Sequence, residues 1–292
     1  MTTAKNDDQP LDALALEKHI ERALAVEPDD IDANNFAYKI IKRLFNPMVV
    51  GAENIPDQPC LFVGNHSLFA LDGLVLGPVM HQELGRFVRP MGDKFLWSVD
   101  QIGDALVDFG AVIGHPDTCS ALMNNGSDLL VFPGGAHEAV KSASDMYMLQ
   151  WKQRYGFVKL AAKHGYTIMP FGMVGPDEFY GHLIEGNELL DSMLGKALIR
   201  LGVISKDTRP DMLPPLPVGA FGSLFPKPQR CYLGFGEPID LSAFEGKKPA
   251  QKTLTKIRGQ VAEEIENQLS ELLLLREQNK GKDGLLRRLL TL

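Results

Sequence analysis

Cys60-Leu61-Phe62-Val63-Gly64-Asn65-His66-Ser67-Leu68-Phe69-Ala70-Leu71-Asp72 runs from a short apolar stretch of strand formers directly into a polar turn. A brief apolar run bounded by turn residues reads as a buried strand, so His66 is expected where that strand emerges into a loop or helix start. About seventy residues on, Leu129-Leu130-Val131-Phe132-Pro133-Gly134-Gly135-Ala136-His137-Glu138 repeats the pattern of buried strand, tight turn and polar residues. The two loops are expected to face one site.

Outward from these stretches, strands and helices alternate. Residues 73–80 are apolar and read as a buried helix, 87–92 as a strand, 95–107 as a helix and 109–113 as a short strand. Asp117 or Thr118 is expected to cap a helix through Met123 that stops at Gly126. Residues 155–165 read as a glycine-closed helix and 166–173 as a strand; after an irregular stretch, 230–235 resumes as another strand. This rhythm predicts a single α/β domain, residues 51–245, with a central, mostly parallel sheet flanked by helices. Before it, residues 1–50 hold two amphipathic helices, 11–26 and 31–44, separated by Pro28-Asp29-Asp30, and Pro47-Met48-Val49-Val50-Gly51 leads into a turn-rich connector. The two helices form either a docking hairpin or part of the core packing. Within the domain, residues 181–228 lose the alternation: Leu189, Leu190, Met193, Leu194, Ala197, Leu198 and Leu201 make an apolar helical stripe, and 209–228 are rich in proline, glycine and large apolar side chains, as a lid or insertion, or a poorly patterned part of the core, would be. Residues 246–292 hold a C-terminal amphipathic helix, 249–277, and a tail whose leucines and arginines suit an interface.

Composition narrows the function. The 292 residues carry a net charge of -7, which disfavours nucleic acid as a partner because no whole-chain basic field exists. Cys60, Cys119 and Cys231 have neither metal-ligand nor disulfide spacing and read as reduced thiols of a cytoplasmic protein; no metal site is expected. No basic region followed by an apolar one marks a secretory signal, and no apolar run of about 18 residues spans a membrane. Attachment is therefore expected to be peripheral, on the inner face of a membrane. Oligomeric state is not readable.

His66 is the leading catalytic candidate because a neutral imidazole activates hydroxyls near neutral pH. Asp72 can hold its tautomer only if the loop bends, since six positions along a straight helix do not share a face. Gly134 and Gly135 let backbone N–H groups approach a developing oxyanion. Glu138 is a candidate partner for substrate or for His66.

In this order the blocks resemble the glycerolipid O-acyltransferase superfamily, which carries an Asn-His followed by an Asp and then a Phe-Pro-x-Gly loop. Asn65, His66, Asp72 and the Phe132-Pro133-Gly134-Gly135 loop match it, as do Gly110-Ala111-Val112-Ile113, Met169-Pro170-Phe171 and Phe235-Gly236-Glu237-Pro238-Ile239. In the lysophosphatidate acyltransferase branch, four residues separate His from Asp and the loop reads Phe-Pro-Glu-Gly-Thr-Arg. Here five residues intervene, Gly134 replaces the Glu and His137 stands at the Arg. Gly134-Gly135-Ala136-His137-Glu138-Ala139, Arg154-Tyr155-Gly156-Phe157-Val158-Lys159-Leu160-Ala161 and Pro170-Phe171-Gly172 look more like the diacylglycerol acyltransferase-like branch, which includes phytyl ester synthases.

The resemblance implies acyl transfer, with His66 as base and Asp72 or Glu138 supporting it, from acyl-CoA or acyl carrier protein to the hydroxyl of a neutral lipid acceptor. No cofactor is implied beyond the thioester donor. Asn65, Gly134, Gly135, His137, Lys141 and Arg154 become candidate substrate-binding residues, the last three able to replace the missing arginine if the acceptor is a lysophospholipid. A His-based esterase or thioesterase and a non-catalytic lipid-binding protein are the competing readings; no Gly-x-Ser-x-Gly elbow is present to favour hydrolysis.

Overall fold

A computed structural model describes residues 12–27, 32–97, 100–202, 204–205, 208 and 213–291. Expectations for residues 1–11, for the break at 28–31 and for Arg209-Pro210 lie outside the described residues. The strands among them are β1 (Met48–Val50), β2 (Cys60–Gly64), β3 (Val88–Gly92), β4 (Val112–Ile113), β5 (Asp128–Val131), β6 (Thr167–Val174), β7 (Gly181–Ile184), β8 (Leu216–Val218) and β9 (Tyr232–Phe235). Seven form one sheet in the order β1-β9-β6-β2-β5-β3-β4. Every neighbouring pair is parallel except β6 with β9. The expected α/β architecture with a mostly parallel sheet is present.

Alternation along the strands divides the apolar residues between two cores. Leu61, Val63, Leu129 and Ile168 enter one, against α5 (Pro116–Asn124), α7 (Gly156–Lys163) and α10 (Gln251–Asn279). Cys60, Phe62, Leu130, Met169 and Phe171 enter the other, against α2 (Asp32–Phe45) and α3 (Leu71–Leu84). The central strands β2, β5, β6 and β9 are buried on both faces, which is why they read as continuous apolar runs. On α10, Leu254, Ile257, Val261, Ile265, Leu269 and Leu272 form the buried stripe. Gly172 lets that helix lie close: a Cβ there would stand 3.0 Å from Gln268 Cβ and 3.1 Å from the Leu269 nitrogen.

Several local expectations are corrected. Met48–Val50 forms an edge strand because it pairs with β9, a long-range partner that a connector reading omits. Helix 95–107 is replaced by a 3-10 turn at Lys94–Trp97 and α4 (Asp100–Asp108). Only Val112–Ile113 of the 109–113 strand pairs. The α5 cap is His115, whose ring accepts the Asp117 N–H with Pro116 in the first turn, so neither Asp117 nor Thr118 caps it. Within residues 181–228, β7 and β8 pair antiparallel where no strand was expected, and α8 (Gly186–Leu189) and α9 (Met193–Arg200) follow β7, α9 lying within the expected helical stripe.

At the N-terminal side, α1 (Ala13–Leu24) and α2 pack on the body. Arg89 donates to the Ala23 carbonyl at 2.8 Å, and Ile41 and Phe45 enter the α3 core. The tail forms α11 (Leu285–Leu290), where Arg287 donates to the carbonyls of Leu44 and Pro228, both at 2.8 Å; one of its two arginines is therefore spent on the protein. Cys60, Cys119 and Cys231 are buried and unbridged; burial pushes the thiols of Cys60 and Cys119 up to about 12. No helix among the described residues is long and apolar enough to cross a membrane.

Candidate active site

Strands β6, β2 and β5 are adjacent and mutually parallel, so their C-terminal ends deliver three loops to one edge of the sheet. This is where open α/β sheets place their ligand sites. The loops begin at Asn65, Phe132 and Gly175.

Asn65 ties the first loop to β6: its amide donates to the Met173 carbonyl at 3.0 Å and accepts the Met173 N–H at 2.8 Å. His66 follows, then Phe69 and Ala70 both take left-handed backbone, with φ of 57° and 58°. Two consecutive left-handed residues turn the chain back on itself, and Asp72 enters in the first turn of α3, where the helix dipole favours an acid. The six-residue spacing is thereby reconciled with contact: His66 Nδ1 lies 2.8 Å from Asp72 Oδ2. Asp72 also accepts the backbone N–H groups of Ser67 (2.5 Å) and Gly73 (2.7 Å) and is 1% exposed. An acceptor fixed by these donors assigns the imidazole proton to Nδ1 and leaves the Nε2 lone pair available. No described residue hydrogen-bonds Nε2. The Phe132 ring stacks flat on the imidazole, centroids 4.1 Å apart and 9° from parallel.

Glu138, on the short helix α6 (Ala136–Ala139), is fully buried, and its carboxylate accepts from backbone N–H groups and not from the imidazole. Its Oε2 accepts the His66 backbone N–H at 2.9 Å and its Oε1 the Gln150 N–H at 2.7 Å. Burial pushes its carboxyl up from the usual range, opposed by those two N–H groups, then by Lys141 and His66. The carboxylate occupies the space above Gly134: a Cβ there would lie 2.0 Å from Glu138 Cδ and 2.4 Å from Oε1.

Beneath the first loop, Lys141 Nζ donates to the His66 carbonyl at 2.7 Å and pairs with Asp177 Oδ2 at 2.8 Å, both side chains 1% exposed. Asp177 also accepts the Leu68 N–H at 3.1 Å and the Tyr147 N–H at 3.0 Å. Removing one partner of such a buried pair costs about 3–5 kcal/mol because the other charge is left uncompensated.

Four of the candidate substrate-binding residues are committed elsewhere. Asn65 and Lys141 are buried and paired as described. Arg154 Nη1 donates to the Pro133 and Gly134 carbonyls at 2.8 Å each, holding the glycine loop from behind. The Gly135 N–H closes a turn onto the Phe132 carbonyl at 3.0 Å. Gly134 keeps a backbone N–H without a hydrogen-bond partner among the described residues. His137 is half-buried, and its Nε2 accepts from Lys152 Nζ at 2.6 Å at the outer side of α6.

Asp177 was not readable as a site residue, although Gly175-Pro176-Asp177 directly follows a buried strand, as Asn65-His66 does. The Phe132 ring and the Gln150 N–H were missed too, because stacking and backbone donation leave no spacing signal. Among the described residues no cluster of His, Cys, Asp or Glu has metal-binding geometry.

Comparison with known proteins gives two overlapping family matches, an acyltransferase model over residues 46–174 and a diacylglycerol acyltransferase model over residues 115–273. Phytyl ester synthase 1, chloroplastic, of Arabidopsis thaliana is 30% identical over 250 residues, covering 80% of this chain and 35% of that protein. A Bos taurus protein named DGAT1/2-independent enzyme synthesizing storage lipids is 27% identical over 237 residues, covering 80% and 65%. The chain spans about a third of the length of the phytyl ester synthases it matches. A crystal structure of the 1-acyl-sn-glycerophosphate acyltransferase of Thermotoga maritima aligns with TM-score 0.47 at 17% identity, over 88% of this chain and 87% of that one.

Proposed function

The chain belongs to the diacylglycerol acyltransferase family, and from that premise we propose that it transfers an acyl group from a thioester, acyl-CoA or acyl carrier protein, to the hydroxyl of a neutral lipid. The observation that carries the reading is the His66–Asp72 pair with Nε2 open, at the sheet edge where three loops meet. His66 Nε2 takes the acceptor's hydroxyl proton as its oxygen attacks the thioester carbonyl carbon. The Gly134 N–H stabilises the resulting oxyanion. Collapse breaks the C–S bond, and the imidazolium returns the proton to the leaving sulfur, giving ester and free thiol. Asp72 holds the imidazole tautomer and steadies its charged form; Glu138 and Lys141 hold the backbone on either side of it.

A neutral acceptor is favoured because the side chains that would replace a phosphate clamp are engaged within the protein: Lys141 on Asp177, Arg154 on two carbonyls and His137 Nε2 on Lys152. The lipid nature of the acceptor places the reaction at a membrane surface, with the protein peripheral to it on the cytoplasmic side.

The deciding experiment supplies purified protein with one acyl-CoA and a mixture of diacylglycerol, long-chain alcohol and lysophosphatidate, and identifies products by mass spectrometry. Neutral esters are expected, and His66→Ala should lose on the order of a hundredfold to ten-thousandfold in rate. Free fatty acid without ester would refute transfer, and phosphatidate as the main product would refute the neutral acceptor.

A further inference from the structure

Large apolar side chains exposed to solvent concentrate in one part of the chain, the segment built on the antiparallel β7–β8 pair. Leu183 lies on β7; Met193, Leu194 and Leu201 lie on or directly after α9; Phe221, Leu224 and Phe225 follow β8. Met193 is 91% exposed, Leu201 77%, Phe221 78% and Leu224 76%, values that leave these side chains almost without protein contact.

The two ends of the segment are ordered in different ways. On α9, Met193, Ala197 and Leu201 recur four apart with Leu194 beside them, one helical stripe whose members are all exposed. Exposed Lys196 and Arg200, also four apart, run along its border. An apolar helical face normally turns to the core; one turned outward with a basic border has the pattern of a helix lying in a lipid interface. After β8, a tight turn displays Phe221 in left-handed backbone, φ 55°, an outlier for an aromatic residue. That turn is closed by Gly219 N–H to the Ser223 carbonyl at 2.7 Å and Ala220 N–H to the Phe225 carbonyl at 2.8 Å. A rigid turn that presents an aromatic ring to water performs no packing in the isolated chain.

The segment is also joined to the candidate active site. The Tyr180 hydroxyl donates to the Leu224 carbonyl at 3.0 Å, and its ring meets Phe69 edge-on with centroids 6.2 Å apart. Phe69 belongs to the left-handed turn between His66 and Asp72.

We propose that α9 and the 219–225 turn dock onto the surface of an anionic lipid bilayer, inserting Met193, Leu201, Phe221 and Leu224 with Lys196 and Arg200 at the headgroups. The inference deepens the acyl-transfer reading and rests on it for the lipid nature of the partner. Charge decides between occupants: in a chain of net charge -7, Lys196 and Arg200 border the apolar stripe itself while the exposed acids Glu188 and Asp191 precede α9, so the stripe complements anionic lipid and would repel the same stripe of a second copy.

The test is flotation of the full chain with vesicles of phosphatidylcholine alone and with about one-third phosphatidylserine, compared with Met193→Ser/Leu201→Ser and Phe221→Ser/Leu224→Ser variants. Wild type is expected to float with the mixed vesicles, and each variant to lose about tenfold in partitioning while keeping its thermal midpoint. Lys196→Glu/Arg200→Glu should abolish the preference for the anionic vesicles. Wild type that stays with the soluble fraction overturns the proposal, as does either serine variant floating like wild type. A dimer in sedimentation that the serine variants dissociate would assign the face to a second copy and also overturn it. Acyl transfer from a short-chain thioester to a water-soluble alcohol, measured without vesicles, reports the chemistry separately. Transfer without flotation sinks the docking face alone, and flotation without transfer sinks the acyltransferase reading alone.

Discussion

At the scale of single residues, the candidate base is held from two sides by different devices. Asp72 acts on the imidazole ring, whereas Glu138 and Lys141 act on the His66 backbone N–H and C=O. Gly134→Ala should therefore lower turnover through a residue that never meets the ring. The added methyl would overlap the Glu138 carboxylate and push it off the His66 N–H, and a loss of at least tenfold in kcat with a folded circular-dichroism spectrum is expected. The Lys141–Asp177 pair separates stability from positioning. Asp177→Asn alone should cost about 3–5 kcal/mol in denaturant unfolding, because it strands a buried ammonium. Lys141→Met/Asp177→Leu should recover only part of that stability and not the rate, since the His66 carbonyl and the Leu68 and Tyr147 N–H groups lose their partners. Ala70 gives the opposite sign. It is exposed and left-handed, so Ala70→Gly should relieve strain and add about 1 kcal/mol, read as a rise in thermal midpoint of a few degrees.

At the scale of elements, α1 is latched by a titratable acceptor. His19 Nε2 accepts the Ile113 N–H at 3.0 Å, and burial, then Arg89 and Arg22, lower its pKa below 6.5. The folded state thus favours the neutral ring. This stabilisation is complete above the ordinary value of 6.5 and is lost as pH falls below it, where the unfolded chain takes up the proton first. Amide exchange at Ile113 should consequently speed up relative to its intrinsic rate between pH 7 and pH 5.5. His19→Gln, which keeps an acceptor, should flatten that dependence. The central elements were legible because buried parallel strands are continuous apolar runs and helix α10 repeats its leucines and isoleucines at helical spacing. Strand β1 was not, because three residues acquire strand identity only from their partner β9. In the site, His66, Asp72 and Glu138 were legible by residue type and order. The division of labour between the two acids was not, since it depends on the left-handed pair Phe69-Ala70, which no propensity favours. Asp177 escaped notice because its job is backbone acceptance across 109 positions of sequence from Leu68.

At the scale of the whole molecule, one helix closes one of the two cores. Six large side chains of α10 are buried against the sheet, each contributing about 1.5–3 kcal/mol on burial. Even as an upper estimate this matches the 5–15 kcal/mol by which a typical domain is stable. A chain ending before Gln251 should therefore fail to give a cooperative thermal transition by circular dichroism, whereas one ending after Asn279, which removes the Lys280–Lys282 turn, Asp283 and the short α11 but none of the six buried α10 side chains, should still give one. The three thiols carry a consequence for experiment. Because Cys60, Cys119 and Cys231 are buried and the Cys60 and Cys119 thiols are pushed up to about 12, almost no thiolate is available at neutral pH. The native chain is then chemically silent toward maleimides. A single cysteine introduced at an exposed position such as Leu201 or Phe221 can be labelled with a spin probe or fluorophore against the unaltered background, turning the protein into its own depth gauge.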